Sequence, residues 1–185
     1  LTGCPLRCGY CDTDYAFQGG EWRTLDQIVA QVDRHPTRHV TVTGGEPLAQ
    51  KACLDLLAVL CDRGLDVSLE TSGALDISGV DVRVARVVDV KTPGSGESER
   101  NLWANMAWLT PRDEVKFVLT GEADYRWAKT ILADYAIPAR CPVLFSPAWG
   151  ALDPTQLAEW LLRDGLPVRM QVQLHKLLWQ EARGR

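Results

Sequence analysis

The sequence predicts an α/β protein, a partial, open parallel β/α barrel of about six strands. Stretches with apolar residues at helical spacing alternate with β-branched runs of strand length. Several of those runs stop at glycine, the punctuation of a strand entering a tight loop. The length of 185 residues also falls short of the about 250 that a closed eight-fold barrel needs.

The elements can be justified in chain order. TLDQIVAQVD opens with Thr24 followed three residues later by Gln27, a capping-box pattern, and sets Leu25, Ile28, Val29 and Val32 on one helical face. RHVTVTGGEP is a β-branched run halted by Gly44 and Gly45, a buried strand with a loop at its carboxyl end. ACLDLLAVLCDRG is an amphipathic helix ending at Gly64, DVSLETSG a strand with a glycine exit, and ARVVDVKTPGSG another strand leaving into a Gly/Ser/Pro loop. Further strands are expected at EVKFVLTG, CPVLFSP and VRMQVQ. Helices are expected near Asp124 to Tyr135, and from Pro154, capped by Asp153, to Gly165. Sequential β-α-β order with short connections favours parallel pairing through right-handed crossovers.

One domain, residues 1–185, is expected, and at this size it buries roughly 70% of its unfolded surface without covalent staples. With 46% apolar residues, 24% charged residues and a net charge of -4, the chain offers no broad basic field, which argues against nucleic acid as a partner. No run approaches the ~20 apolar residues of a membrane span and no signal core is present, so a membrane partner is not expected and a reducing cytoplasm is. The first residue is Leu1, and LTGC reads as the end of a strand running into a loop. An amino-terminal segment ahead of it is therefore expected.

Chemistry in such sheets gathers beyond the carboxyl ends of the strands. The loops TGGEP, ETSG, DVKTPGSG and SPAWG are thus expected to share one mouth with the opening LTGCPLRCGYCDTDYAF. That opening holds Cys4, Cys8 and Cys11 within eight residues. Disulfides use cysteines in pairs and a closed tetrahedral site uses four ligands, so three close thiols describe a site with one position open. A cubane of four irons held by three thiolates leaves one iron for an outside ligand. A zinc site completed by a histidine, or three unrelated thiols, are the other readings. Only His35, His39 and His175 exist, none of them in the loop. Cys53, Cys61 and Cys141 are expected as small core residues.

The Cys-x3-Cys-x2-Cys spacing, with Tyr10 before the last cysteine, resembles the signature of the radical S-adenosylmethionine superfamily, and a Gly-Gly-Glu turn one β/α unit later fits the same pattern. That resemblance implies the radical S-adenosylmethionine type of open barrel, a 4Fe-4S cluster on Cys4, Cys8 and Cys11, and S-adenosylmethionine chelated at the open iron. One electron from the cluster would cleave the nucleotide to a 5'-deoxyadenosyl radical, which takes hydrogen from substrate. Beyond the superfamily, GYCDT, VTGGEP, LETSG, DVKTPGSG, SPAWG and QLHK fall in an order similar to the 7-carboxy-7-deazaguanine synthase family, across nearly the whole sequence. Family membership implies radical ring contraction of 6-carboxy-5,6,7,8-tetrahydropterin with loss of ammonia, in the synthesis of queuosine and other deazapurines.

The same resemblance implies roles residue by residue. The Thr13 hydroxyl would ligate Mg2+, which favours hard oxygen donors; the residues alone favour a hydroxyl that caps the next turn, and the resemblance reverses that reading. Tyr10, Cys11, Asp12 and Gly45 would line the S-adenosylmethionine pocket, with Glu46 accepting from its ammonium group. Glu70 and Ser72, then Asp89, Val90 and Lys91, then Ser146, Pro147, Ala148 and Trp149 would meet the same cofactor at successive strand ends. Thr43 would touch the pterin, and His175 and Lys176 would hold it or its carboxylate. Family expectation adds a flavodoxin or ferredoxin as electron donor and a homodimer. The family's Gln-Gly-Glu-Gly stretch and its arginine upstream of the cluster loop have no counterpart in these residues. Two other functions use a similar triplet: an activase that places a glycyl radical on a partner protein, for which Trp103 and Trp108 in AWLTPRDEVKFVL could offer a docking face, and a non-catalytic zinc-binding module.

Overall fold

The computed structural model describes residues 1–180. Six strands form one all-parallel sheet: β1 (His39–Val42), β2 (Asp66–Thr71), β3 (Ala85–Asp89), β4 (Glu114–Leu119), β5 (Val143–Pro147) and β6 (Arg169–Met170). Each strand pairs with its neighbours in sequence, so spatial order equals chain order. A sheet wound in a single direction places its crossovers on one face and curls toward a barrel. Here β1 and β6 remain as edges, and the barrel is open, as expected from the chain length.

Among the described residues five α-helices accompany the strands: α1 (Leu25–Val32), α2 (Cys53–Asp62), α3 (Glu122–Asp134), α4 (Pro154–Asp164) and α5 (Leu174–Trp179). The start of α1 is the expected capping box, with Gln27 N–H donating to Thr24 Oγ1 at 3.2 Å and Thr24 N–H donating to Gln27 Oε1 at 2.9 Å. Asp153 caps α4 by accepting from Thr155 N–H at 2.8 Å, and Gly165 ends it in the left-handed region. Helix α2 turns Cys53, Leu56, Leu57, Leu60 and Cys61 inward at the helical period. A leucine sealed in this way stabilises the fold by about 1.5–3 kcal/mol relative to exposure. Cys53, Cys61 and Cys141 are buried free thiols of that core.

Two crossovers lack an α-helix. Residues 72–84 join β2 to β3, and three 3-10 turns within 93–108 occupy most of the link from β3 to β4. Buried Asn105 ties the two together: its amide donates to Gly73 O at 3.2 Å and Leu75 O at 2.8 Å, and its carbonyl accepts from Ile77 N–H at 3.2 Å. A buried Arg86–Asp113 pair, 2.6 Å at Nη2–Oδ2, does similar work at the amino ends of β3 and β4. Trp103 is half-buried and stacks on Tyr135 with centroids 4.8 Å apart, whereas Trp108 is exposed.

The end of the chain differs from expectation. VRMQVQ reads as a full strand, but only Arg169 and Met170 make ladder pairs with β5. Gln171 N–H donates once more to Phe145 O at 2.9 Å, and helix α5 begins three residues later. QLHK is therefore a loop entering a helix. It lies at the rim of the barrel mouth instead of on a surface strand.

Candidate active site

The cysteine loop is held by hydrogen bonds to the ends of two strands, β1 and β3. Gly9 N–H donates to Ser95 O at 3.0 Å, and Arg7 N–H donates to Glu97 Oε1 at 2.6 Å, both beyond β3. The Arg7 guanidinium folds back onto Leu6 O and Cys4 O and sits 4.3 Å over the Phe17 ring, fixing the turn between the first two cysteines. On the β1 side, Gly45 N–H donates to Leu1 O at 2.9 Å and Glu46 N–H to Gly3 O at 2.8 Å. The Gly-Gly turn is required by that closeness. A Cβ at Gly45 would lie 2.4 Å from Gly3 O and 3.0 Å from Cys4 Cβ.

Glu46 has no exposed surface. Its Oε1 accepts from Leu48 N–H at 3.0 Å and from Thr71 Oγ1 at 2.9 Å. Its Oε2 accepts from Ser72 N–H at 2.6 Å and Ser72 Oγ at 2.5 Å. The carboxylate thus ties the exit of β1 to the exit of β2, and its acceptor capacity is spent on the protein itself.

At the end of β3, Lys91 Nζ lies 2.7 Å from Asp89 Oδ2. Burial opposes the ammonium charge, but Asp89, Tyr10 and Cys8 outweigh it and hold Lys91 above its ordinary range. Burial pushes the Tyr10 phenol up, with the Asp89 charge adding to it. Burial likewise raises Cys8, partly offset by Lys91, and raises Cys11, partly offset by the Thr13 backbone N–H. The Tyr10 hydroxyl and Asp89 Oδ1 are buried with no hydrogen-bond partner among the described residues.

These groups line one cleft of about 1300 Å³ at the carboxyl ends of the strands. From the opening loop it takes Cys4, Cys8, Tyr10, Cys11, Asp12 and Thr13; from β1 and β2 it takes Thr43, Gly45, Glu70 and Ser72. Beyond β3 it takes Asp89 and Lys91, from β5 Ser146, and from the last loop and α5 His175 and Lys176. The wall does not include Glu46, Val90, Pro147, Ala148 or Trp149. Successive strand residues face opposite ways, so Val90 and Ala148 turn into the core beside residues that face the cleft. Pro147 and Trp149 border a separate apolar hollow against α5. Sequence reasoning missed Lys116, Gln171 and Gln173, all on the wall. For Lys116 a signal existed: in EVKFVL it alternates with buried Val115 and Phe117, which puts it on the barrel side.

The residues present fit a cluster and a nucleotide. Three half-buried thiols share one wall. Among the described residues no three His, Cys, Asp or Glu side chains are grouped to hold a metal ion. A cubane takes each thiolate on a different iron. The orphaned Tyr10 and Asp89 atoms supply a donor and an acceptor to a polar ligand lying beside the thiols.

The Radical SAM superfamily model matches residues 1–89. A 7-carboxy-7-deazaguanine synthase of Chlorobaculum tepidum is 48% identical over 188 aligned residues, covering 100% of this chain and 86% of that protein. Its namesake from Koribacter versatilis is 38% identical, covering 97% and 86%. In fold, the chain resembles the crystal structure of QueE from Escherichia coli, with a TM-score of 0.72, 23% identity, and 92% of this chain and 82% of that one covered. It also resembles Streptococcus suis SuiB bound to S-adenosylmethionine, with a TM-score of 0.60, 12% identity, and 92% and 45% covered.

Proposed function

The chain belongs to the 7-carboxy-7-deazaguanine synthase family of the radical S-adenosylmethionine superfamily, and from that premise we propose how residues 1–185, as one core domain, carry out the reaction. The substrate is 6-carboxy-5,6,7,8-tetrahydropterin and the product 7-carboxy-7-deazaguanine, with loss of ammonia. The observation that carries this reading is the convergence of the cysteine triplet, the Gly-Gly turn and the ends of β2 and β3 on one cleft.

Cys4, Cys8 and Cys11 would hold a 4Fe-4S cluster. Binding requires their thiolates, so metal uptake releases the protons that burial otherwise favours on Cys8 and Cys11. When bound, the cluster and S-adenosylmethionine supply the one-electron chemistry that starts the ring contraction. The chain's own residues bind and orient. Tyr10 and Asp89 present their free polar atoms to the nucleotide, while Gly45, Glu70, Ser72, Lys91 and Ser146 border it. Glu46 serves it indirectly, by fixing the turn on which Gly45 sits. Thr13 offers a hydroxyl oxygen to Mg2+, and Thr43, His175 and Lys176 face the pterin. A flavodoxin or ferredoxin is the proposed electron donor, and a cytoplasmic homodimer the working form.

The test is turnover. Anaerobically reconstituted protein, given the tetrahydropterin carboxylate, S-adenosylmethionine and a reductant, is expected to release 7-carboxy-7-deazaguanine and ammonia in equal amounts. Cluster-loaded protein that cleaves the nucleotide but leaves the pterin intact would remove the substrate assignment.

A further inference from the structure

The stretch of the cysteine loop that carries Cys11 and Thr13 makes its backbone bonds within the loop itself, where Ala16 O also accepts from Gly3 N–H at 2.8 Å. Cys11 N–H returns to Cys8 O at 3.1 Å, and Thr13 O accepts from Ala16 N–H at 2.9 Å. The earlier part is bound to the ends of β1 and β3 through Gly3, Arg7 and Gly9. A link from the last loop of the barrel reaches this stretch at a carboxylate, Asp12. Its Oδ1 accepts from the Thr13 hydroxyl at 2.8 Å, and its Oδ2 accepts from Gln173 Nε2 at 2.7 Å with His175 Nε2 3.3 Å away.

Gln173 is bound at both ends. While Nε2 donates to Asp12, its Oε1 accepts from Trp149 N–H at 3.0 Å, just beyond β5. The two partners make opposite demands, an acceptor on one side and a donor on the other. A carboxamide, with an acceptor oxygen and a donor NH2 on one planar group, meets both. A glutamate would set two carboxylates face to face, and a lysine would leave the Trp149 N–H without an acceptor.

We infer that Gln173 is a positioning residue of this site: through Asp12 it fixes Cys11 and Thr13 against the end of β5, so that the open barrel presents its third thiol and its hydroxyl oxygen in one set arrangement. This rests on the reading of the cysteine loop as the cofactor site. The bridge spans the open side of the barrel, from the edge-strand end of the sheet to a loop otherwise anchored on the β1 and β3 side. The hydrogen bond to a charged acceptor is the strong class of such bonds, and its loss corresponds to about tenfold in an equilibrium governed by the loop's placement.

The test compares wild type, Gln173→Ala, Gln173→Glu and the double variant Asp12→Asn/Gln173→Glu. In the double variant an amide faces a carboxylate again with the roles exchanged. Two readouts are taken: amide hydrogen exchange of peptides covering residues 10–13 in the full chain without added ligand, and the dissociation constant for S-adenosylmethionine of the reconstituted protein, with iron content measured alongside. Expected are faster exchange at 10–13 and about tenfold weaker nucleotide binding in both single variants, at near wild-type iron content, with recovery of slow exchange in the double variant. Unchanged exchange and affinity in Gln173→Ala overturns the inference. If Gln173→Ala does not fold, a double variant no better than Gln173→Glu overturns it. Failure of the pterin reading is separate, because exchange and nucleotide affinity are read without the pterin.

Discussion

Replacing Glu46 by glutamine tests whether the carboxylate under the Gly-Gly turn holds the cleft's floor together. Each carboxylate oxygen accepts from one backbone N–H, Leu48 on Oε1 and Ser72 on Oε2. The Thr71 and Ser72 hydroxyls can rotate to accept from an amide NH2, but the backbone N–H groups cannot. Whichever way the glutamine amide is turned, one buried N–H meets another donor. Leaving one such group unsatisfied costs about 1–3 kcal/mol, and a change of about 2 kcal/mol lowers Tm by about 4–8 °C in a protein of this size. Alanine orphans both N–H groups and is expected to cost about twice as much. The assay is urea unfolding of the cluster-free chain under anaerobic conditions, followed by tryptophan fluorescence and by calorimetry. A Glu46→Gln protein within about 0.5 kcal/mol of wild type, or an alanine variant no worse than the glutamine one, would refute the reasoning.

Further outcomes are expected. Cys8→Ala is expected to abolish iron binding and S-adenosylmethionine cleavage, while Cys53→Ala, in the core of α2, costs only packing of about 1–2 kcal/mol; iron analysis and cleavage assays on both check this. Gly45→Ala drives a methyl into Gly3 O and is expected to cost about 1–3 kcal/mol and to weaken nucleotide affinity, read by unfolding and titration. For Asp113, burial alone would push the carboxyl up, but bonds from Arg86 and Thr110 outweigh it and hold it below its ordinary range. The stability this contributes is present above the unfolded value near pH 4 and is lost as pH falls through the folded value. Asp113→Asn is therefore expected to lower the urea midpoint at pH 7 and to lose less than wild type between pH 7 and pH 3. Parallel losses would contradict that pairing.

Local chemistry explains why so much could be read in advance. The Thr24–Gln27 capping box, the Asp153 cap and the Gly165 stop are contacts within a few residues, and the structure contains each of them. The inward face of α2 follows from a 3.6-residue period. Six parallel strands in chain order follow from alternation and length. Where two elements had to compete for the same residues, sequence was insufficient. The run VRMQVQ has strand character, yet the sheet ends after Met170 because β6 is an edge whose other side has no partner.

What the sequence determined by itself is the donor set: three thiols within one short loop, glycines where backbones approach, and acidic and basic groups at strand ends. Tertiary structure decided which of them face the cleft. Glu46 became a buried brace because four donors from two strand ends surround it. Gln173, unremarkable in sequence, became the bridge to Asp12 across 161 positions. Side-chain direction and long-range hydrogen bonds depend on how strands lie beside one another, and that is a property of the folded sheet that no local pattern encodes.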